Sequence, residues 1–351
     1  MKPISEQYPY NVFVFCFDDN EPWGGIKQLY HHVDILSRNG VNAKVLQQNP
    51  GFRCNWFENS TPVTSVKEVD LGDQDIVVMP EVLGVQALKT LPGIKKVIFN
   101  QNEFYTFKHY PPALSNTVES QYLHSDTVAT MTVSQESFYY LKHAFPAADL
   151  FRIFYSVDAE IFQWNSHKKK QICYMPRKNA EDAEQVFNIL KYRGMLNETT
   201  VIPIDGMSEQ EVAKVMQESL LFISFGHPEG FGLPVAEAML CGCVVVGYHG
   251  IGGREFFTKD YGYPMECGDV LAIAQKVEEL LVQADSQTDH LFAMAQRACN
   301  FIRKTYSKEA EENSIIGAWE NIFKLAARKD GKQLPNIEMA QPKLDSHQFI
   351  F

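Results

Sequence analysis

Two glutamates in the stretch HPEGFGLPVAEAMLCG, residues 227–242, stand eight positions apart, at 229 and 237. Glu229 falls in a glycine-rich turn, whereas Glu237 falls about one turn inside the helix predicted to follow. Compensation of the helix dipole, worth ~0.3–1 kcal/mol, accounts for Glu237 but not for Glu229 or the glycines on both sides of Phe231. Backbone N–H groups at a helix start attract an anion, and carboxylates accept hydrogen bonds from hydroxyl groups. The stretch therefore predicts a site for a polyhydroxy ligand with an anion in its middle, and a nucleotide sugar has that layout.

Glycines and amides follow two strand-like runs in the first half of the chain. Gly24 and Gly25 begin a helical pattern after FDDNEPW, where backbone N–H groups can approach a phosphate or a carboxylate. A tight turn is the alternative interpretation, and the pair is not the G-x-G-x-x-G fingerprint of a dinucleotide site. Gln101 and Asn102 follow the run KKVIFN and can hydrogen-bond sugar hydroxyls without carrying charge, although such residues also form turns.

Two adjacent cations follow a strand-like run in the second half. Arg177 and Lys178, in YMPRKNAEDAEQ, stand just before a helical pattern. Arginine offers a planar fork and lysine a point charge, and both suit a diphosphate. Basic residues at a helix start oppose its dipole, so a ligand explains this pair better than an exposed surface does. His227 lies two residues before Glu229, where a structural role is the more common one.

Composition limits the class of protein. A chain of 351 residues, with 45% apolar and 21% charged residues, predicts two soluble globular domains. The net charge of −11 argues against nucleic acid as the main partner, because a phosphate backbone needs a basic surface. The seven cysteines lack paired metal-ligand spacing and favour a reduced, cytoplasmic compartment. No run approaches the ~18 apolar residues of a spanning helix, so membrane contact is expected to be at most peripheral.

Short apolar runs alternate with helical patterns along the chain, which predicts parallel α/β domains. Six strands are predicted within 11–157 and five within 171–266, followed by helices from about 270 to 327. Ligands bind doubly wound sheets at the carboxyl ends of their strands, so the candidate loops are expected to line a shared central cleft. The predicted parts are a Rossmann-like domain at 1–156, a second one at 157–310, a helix at 311–328 that packs back toward the first domain, and a polar tail at 329–351.

The segment PEGFGLPVAEAMLCG resembles the E-x7-E signature of the family-4 retaining glycosyltransferases, which have the GT-B fold of two facing Rossmann-like domains. The segments GGIKQLYHHVDILSRNGVNAKVL, TVSQES, YSVDAEIF and GIGGREFF are similar to the family in order and spacing. The resemblance covers most of residues 11–327. It implies that the first domain takes the acceptor, that the second binds the nucleotide sugar, and that transfer retains the anomeric configuration without a metal ion.

The resemblance also implies a role for each candidate residue. Glu229 would bind hydroxyls of the donor sugar, Glu237 would hold the ribose, and Arg177 and Lys178 would neutralise the diphosphate. The basic pair is adjacent here, whereas the family commonly has an arginine and a lysine several residues apart. Further contacts to sugar and phosphate would come from Gly24, Gly25, Gly230, Phe231, Gly232 and Leu233.

One loop departs from the family in the first domain. The family often has a histidine there, and this chain has NQNE, so the role of facing the sugar would pass to Gln101 or Asn102. The resulting prediction is a cytoplasmic, hexosyltransferase-like enzyme that uses a nucleotide-diphosphate sugar and an unknown glycan, lipid-linked or small-molecule acceptor. The alternatives are a catalytically inactive or regulatory nucleotide-sugar-binding module and another GT-B enzyme, such as a nucleotide-sugar epimerase. A polymer synthase and an NAD-dependent dehydrogenase are weaker alternatives.

Overall fold

A computed structural model of the chain describes residues 8–110, 119–284 and 288–331. The described residues form two parallel sheets with helices packed on them, so the predicted pair of doubly wound α/β units is confirmed. Nearly all of the tail predicted at 329–351 lies outside the described residues. Within those three ranges, no helix is both long and apolar enough to cross a membrane.

The N-terminal sheet is built from parallel strands. Its inner strands are buried, as expected of a parallel sheet with helices on its faces. Its elements are β1 (Asn11–Phe15), α1 (Gly24–Arg38), β2 (Ala43–Gln47), β3 (Val63–Ser65), β4 (Asp75–Pro80), α2 (Gln86–Lys89), β5 (Lys95–Asn100), β6 (Thr127–Thr132), α3 (Gln135–Ala144) and β7 (Leu150–Arg152). The strand order is β3-β2-β1-β4-β5-β6-β7, so the chain changes direction across the sheet between β1 and β4. A reversal of this kind is where doubly wound sheets bind ligands.

The C-terminal sheet repeats the same design. Its elements are β8 (Lys169–Tyr174), α4 (Ala180–Tyr192), β9 (Thr200–Pro203), α5 (Glu209–Glu218), β10 (Ser219–Ser224), α6 (Leu233–Cys241), β11 (Val244–Tyr248), β12 (Tyr263–Met265) and α7 (Val270–Ala284). The strands are parallel and lie in the order β12-β11-β10-β8-β9. Two long helices follow, α8 (Thr288–Thr305) and α9 (Lys308–Lys329). Valines fill β11, which is buried along its whole length.

The last helix, α9, packs on the N-terminal sheet against α1, β6 and β7. Trp319 is fully buried and donates its indole N–H to Nε2 of His32 on α1, at 2.8 Å. Burial lowers the pKa of His32 to about 3, so its ring is the neutral acceptor that this bond requires. Because the end of the chain returns to the first sheet, the exact division at 156 and 157 stays a prediction.

Local sequence signals placed most elements correctly. The side chain of Ser134 caps α3 by accepting the N–H of Ser137, and α3 ends at Ala144, before Pro146, as the serine and the proline in the sequence favour. The short strand β3 was not predicted, since the tripeptide VTS carries no alternating apolar pattern.

Candidate active site

The loops that follow strands in the two sheets meet at one place. Lys27 on α1 forms an ion pair with Glu209 on α5, which joins the two halves of the chain. The guanidinium of Arg177 stacks over the ring of Trp23, with its carbon 4.7 Å from the ring centroid. The backbone carbonyl of Gln101 lies so close to Gly230 that no side chain would fit between them. The structure therefore brings together the four loops that the sequence singles out.

The turn around Glu229 is fixed by a second backbone segment. The N–H of Glu229 donates to the carbonyl of Gly250 at 2.8 Å, and the N–H of Gly252 donates to the carbonyl of Glu229 at 3.0 Å. Between those two contacts, Ile251 has φ 80°, a conformation that is rare and strained for a β-branched residue. A Cβ on Gly250 would lie 2.7 Å from that of Glu229. The turn is thus held by backbone groups, and its carboxylate is left for other partners.

Four consecutive backbone N–H groups start α6 without a protein acceptor among the described residues, those of Gly230, Phe231, Gly232 and Leu233. The φ of 96° at Gly232 turns the chain into the helix, and Pro234 occupies the second helical position. The Phe231 ring is buried and packs edge-on against Tyr155 and Tyr306, with centroids 5.8 and 5.0 Å away. This ring anchors the turn, and N–H groups without acceptors at a helix N-terminus are able to bind an anion.

The two adjacent cations have different partners. Lys178 places its ammonium 2.8 Å from Oε1 of Glu229 and also donates to the carbonyl of Pro228. Arg177 points the other way, over Trp23, and is exposed. Lys178 thus lies in the turn that leads into α6, next to the unpaired N–H groups, and two cations with such N–H groups are the chemistry that suits a diphosphate. The sequence places the pair just before α4 but could not show that the two side chains point in different directions.

The amide loop after β5 faces this turn from the N-terminal half. Asn102 donates its side-chain N–H to the carbonyl of Pro228 at 3.4 Å. Gln101 donates to the carbonyl of Gly25 at 3.4 Å, and a Cβ on Gly25 would lie 2.7 Å from Oε1 of Gln101. The first turn of α1, which begins at Gly24, has no side-chain cap and no acidic residue. These predicted residues are therefore neighbours, although the two amides bind backbone groups in this structure.

His227 makes a structural contact through its backbone. Its carbonyl accepts a hydrogen bond from Asn179 at 3.1 Å, and that side chain also donates to the carbonyl of Phe225 at 2.8 Å. Asn179 adopts the left-handed conformation, with φ 49°, just before α4. Burial and the charge of Lys178 lower the pKa of His227, which disfavours the protonated form.

Glu237 lies half-buried on α6, without a hydrogen-bond partner among the described residues. Burial and, to a smaller extent, the charge of Glu209 raise the pKa of its carboxyl from 4.5 to about 7, against the opposing charge of Lys27. A carboxylate that lacks a protein donor is free to accept hydrogen bonds from a ligand's hydroxyl groups. This is the property that the sequence predicts for the ribose site.

We expect Glu237→Gln to raise the free energy of unfolding by about 1–2 kcal/mol at pH 8 and to change it little at pH 4.5. The native carboxyl binds its proton more tightly than the unfolded one, so wild-type stability falls as the pH rises from about 4.5 to about 7. Glutamine removes that loss because it stays neutral. Urea unfolding at both pH values measures the effect. The matched control is Glu184→Gln on the exposed face of α4; an equal gain there at pH 8 would contradict the assignment.

Glu255 is a buried carboxylate whose role the sequence did not reveal. It accepts the backbone N–H of Gln135 at 2.7 Å, the Arg152 guanidinium at 2.6 Å and the Tyr306 hydroxyl at 2.7 Å. Gln135 and Arg152 belong to the first sheet's half, so these bonds join the two halves beside the turn. The glycines of GIGGREFF indicate a turn. The partners of Glu255, however, are distant in sequence, so no local pattern predicts them.

The described residues contain no group of three histidine, cysteine, aspartate or glutamate side chains arranged as metal ligands. They do contain a pair of facing Rossmann-like units, with four unpaired N–H groups, two cations and two carboxylates where their strand-end loops meet. Those features define the GT-B class of glycosyltransferases, in which the nucleotide-sugar site lies between two such units.

Comparison with known proteins agrees with this class. Residues 167–295 match the family model of the glycosyl transferases group 1. An alpha-1,6-glucosyltransferase of Actinobacillus pleuropneumoniae serotype 7 (strain AP76) is 27% identical over 324 residues, which cover 89% of this chain and 95% of the relative. An N-acetyl-alpha-D-glucosaminyl L-malate synthase of Bacillus anthracis is 28% identical over 123 residues, which cover 35% of this chain and 30% of the relative.

Solved structures show the same fold at low identity. A sucrose-phosphate synthase from Thermosynechococcus elongatus superposes with a TM-score of 0.66 at 11% identity, covering 90% of this chain and 99% of that one. Anabaena Alr3699/HepE in complex with UDP and glucose superposes with a TM-score of 0.55 at 14% identity, covering 89% of this chain and 100% of that one. The predicted GT-B fold is therefore confirmed.

The chain is therefore similar to the glycosyl transferases group 1 in its C-terminal half, and it is a retaining glycosyltransferase with the GT-B fold. It transfers a sugar from a nucleotide sugar to an acceptor, as the sequence predicts.

Proposed function

We propose that the enzyme transfers glucose from UDP-glucose and forms an α-1,6 linkage. Two comparisons support the donor and the linkage: an alpha-1,6-glucosyltransferase is similar to this chain along nearly its whole length, and a GT-B neighbour binds UDP and glucose. The acceptor class is left open, and placement in the cytoplasm stays a prediction.

The observation that carries the proposed site is the Lys178–Glu229 pair beside the four free N–H groups at the start of α6. In this proposal the diphosphate of the donor binds those N–H groups, Arg177 and Lys178. As Lys178 turns to the phosphate, the carboxylate of Glu229 is released to accept hydrogen bonds from the sugar hydroxyls. Glu237 accepts hydrogen bonds from the ribose, and Gln101 and Asn102 close the sugar site from the other half.

These residues favour departure of the nucleoside diphosphate. When the bond between the anomeric carbon and the phosphate oxygen breaks, negative charge develops on the diphosphate. Fixed N–H groups and cations stabilise that charge without having to reorganise, which is the largest single source of catalysis in many enzymes. Gly24 and Gly25 leave room for the phosphates at the opposing helix start.

The donor is tested by thermal unfolding with UDP-glucose, UDP-N-acetylglucosamine, UDP-galactose, ADP-glucose and GDP-mannose. A donor at ~100 times its dissociation constant stabilises the fold by ~2.7 kcal/mol. We expect UDP-glucose to stabilise the protein most and the product of transfer to glucose oligosaccharides to show an α-1,6 linkage by NMR. Stabilisation by ADP-glucose or GDP-mannose, with none by the UDP-sugars, would overturn the proposed donor.

A further inference from the structure

Glu81 is a buried carboxylate at the carboxyl end of β4 that none of the roles above uses. It is only 3% exposed, and no basic side chain of the described residues pairs with it. Its own carbonyl accepts a hydrogen bond from the side chain of Gln121 at 3.0 Å, which fixes its backbone. Burying an unpaired carboxylate is costly, so a position like this calls for a reason other than stability.

The carboxylate of Glu81 supports the amide loop that closes the proposed sugar site. Its Oε1 accepts the backbone N–H of Asn102 at 3.1 Å. The side chain of Asn102 in turn caps the short turn behind it by accepting the N–H of Phe104 at 3.1 Å. With its backbone N–H and its side-chain oxygen both held, Asn102 directs its side-chain NH2 group to the carbonyl of Pro228.

The carbonyl of Pro228 receives donors from both halves of the chain. Asn102 reaches it from the N-terminal half, and Lys178 reaches it from the C-terminal half. The same ammonium of Lys178 lies 2.8 Å from Glu229, the next residue after Pro228. A continuous path of hydrogen bonds therefore runs from Glu81, through the loop and this carbonyl, to the carboxylate proposed to bind the sugar.

We propose that Glu81 is a positioning residue: its carboxylate fixes Asn102 so that Asn102 and Lys178 converge on the carbonyl of Pro228 and hold Glu229 in place for transfer. The inference rests on the roles proposed for Lys178 and Glu229, and it adds a residue that contacts neither donor nor acceptor.

Ionisation of Glu81 sets the strength of this support. Burial and, to a smaller extent, the charge of Glu103 raise the pKa of its carboxyl to about 7, against the backbone N–H groups that lower it. The other titratable groups that face it are the hydroxyls of Tyr122 and Tyr155, both with raised pKa values, so each is neutral in this range. An ionised carboxylate accepts the N–H of Asn102 more strongly than a protonated one does. The support is therefore strongest above about pH 7 and weakens below it.

The test compares Glu81→Gln and Glu81→Ala with wild type, using the donor that stabilises the wild-type protein. Glutamine resembles the protonated acid, so we expect kcat of Glu81→Gln to fall about tenfold at pH 8 and to approach wild type at pH 6. Glu81→Ala should lose kcat about tenfold or more at both pH values. KM for the donor should change less than threefold in both variants, since the charged and ribose contacts proposed for the donor lie in the other half and Glu81 touches none of the phosphate-facing glycines.

The matched control is Glu68→Gln. Glu68 also accepts a backbone N–H, that of Ser65, in the same half of the chain but away from the site. It should keep the wild-type pH profile. The inference is overturned if Glu81→Gln retains the wild-type kcat and pH profile, or if its loss is the same at pH 6 and pH 8 and follows its loss of thermal stability. Failure of UDP-glucose to bind wild type would overturn the donor alone, because these profiles are measured with whichever donor stabilises the fold.

Discussion

Glu229→Gln should lower kcat/KM for sugar transfer by about 10²–10³-fold, the largest effect that we expect from a single substitution. The neutral amide accepts sugar hydroxyls more weakly than the carboxylate and no longer pairs with Lys178, which lies 2.8 Å away. The change preserves shape, and Glu229 is bound to its neighbours through backbone atoms, so the fold should be kept. Initial rates over a range of donor concentrations measure the loss.

Glu278→Gln is the matched control, because Glu278 also pairs with a cation, Arg193, in the same half of the chain, but on the surface. Exposed surface pairs contribute little to stability, so this variant should transfer sugar at the wild-type rate. A Glu229→Gln enzyme within threefold of wild type would show that this carboxylate does not touch the sugar.

Gly230→Ala should lower kcat about 100-fold, the second large effect. An added Cβ would lie 1.8 Å from the carbonyl oxygen of Gln101, and a backbone oxygen cannot swing aside as a flexible side chain can. The two halves would then have to separate at the site, and small displacements of reacting groups cost about 10²-fold in rate. UDP should still bind within about threefold of wild type, since the cations and N–H groups of the C-terminal half remain.

Gly72→Ala is the control for this substitution, because a Cβ there meets nothing within 4 Å. It should keep both the wild-type rate and the wild-type melting temperature. If Gly230→Ala transferred sugar at the wild-type rate, the close approach of its loop to Gln101 would have no part in the reaction.

Features that depend on local chemistry were predictable from the sequence. The alternation of apolar runs and helical patterns gave both sheets, because each strand of a parallel sheet is buried and each crossover needs a helix. The glycines around Phe231 and the acid at 229 stood out because a helix cap alone does not need them. The cations at 177 and 178 stood out because they oppose a helix dipole.

Features that depend on distant contacts were not predictable. Glu255 binds groups 51 to 120 positions away, and Glu81 binds the backbone of a residue 21 positions away. In the sequence, each of these glutamates is a single acid with no partner at a characteristic spacing. The strained conformation of Ile251 could not be predicted either, since a β-branched residue favours extended backbone. Tertiary contacts impose these features, and a sequence pattern records only the residues that local structure requires.

The most direct test of the proposed donor site is a crystal structure of the enzyme with UDP-glucose. We predict the diphosphate at the N–H groups of Phe231 to Leu233, Lys178 turned from Glu229 to a phosphate oxygen, and Glu229 at a hydrogen-bonding distance of about 2.7–3.2 Å from a sugar hydroxyl. A donor bound elsewhere, with the Lys178–Glu229 pair still intact, would contradict the assignment of this turn as the sugar site.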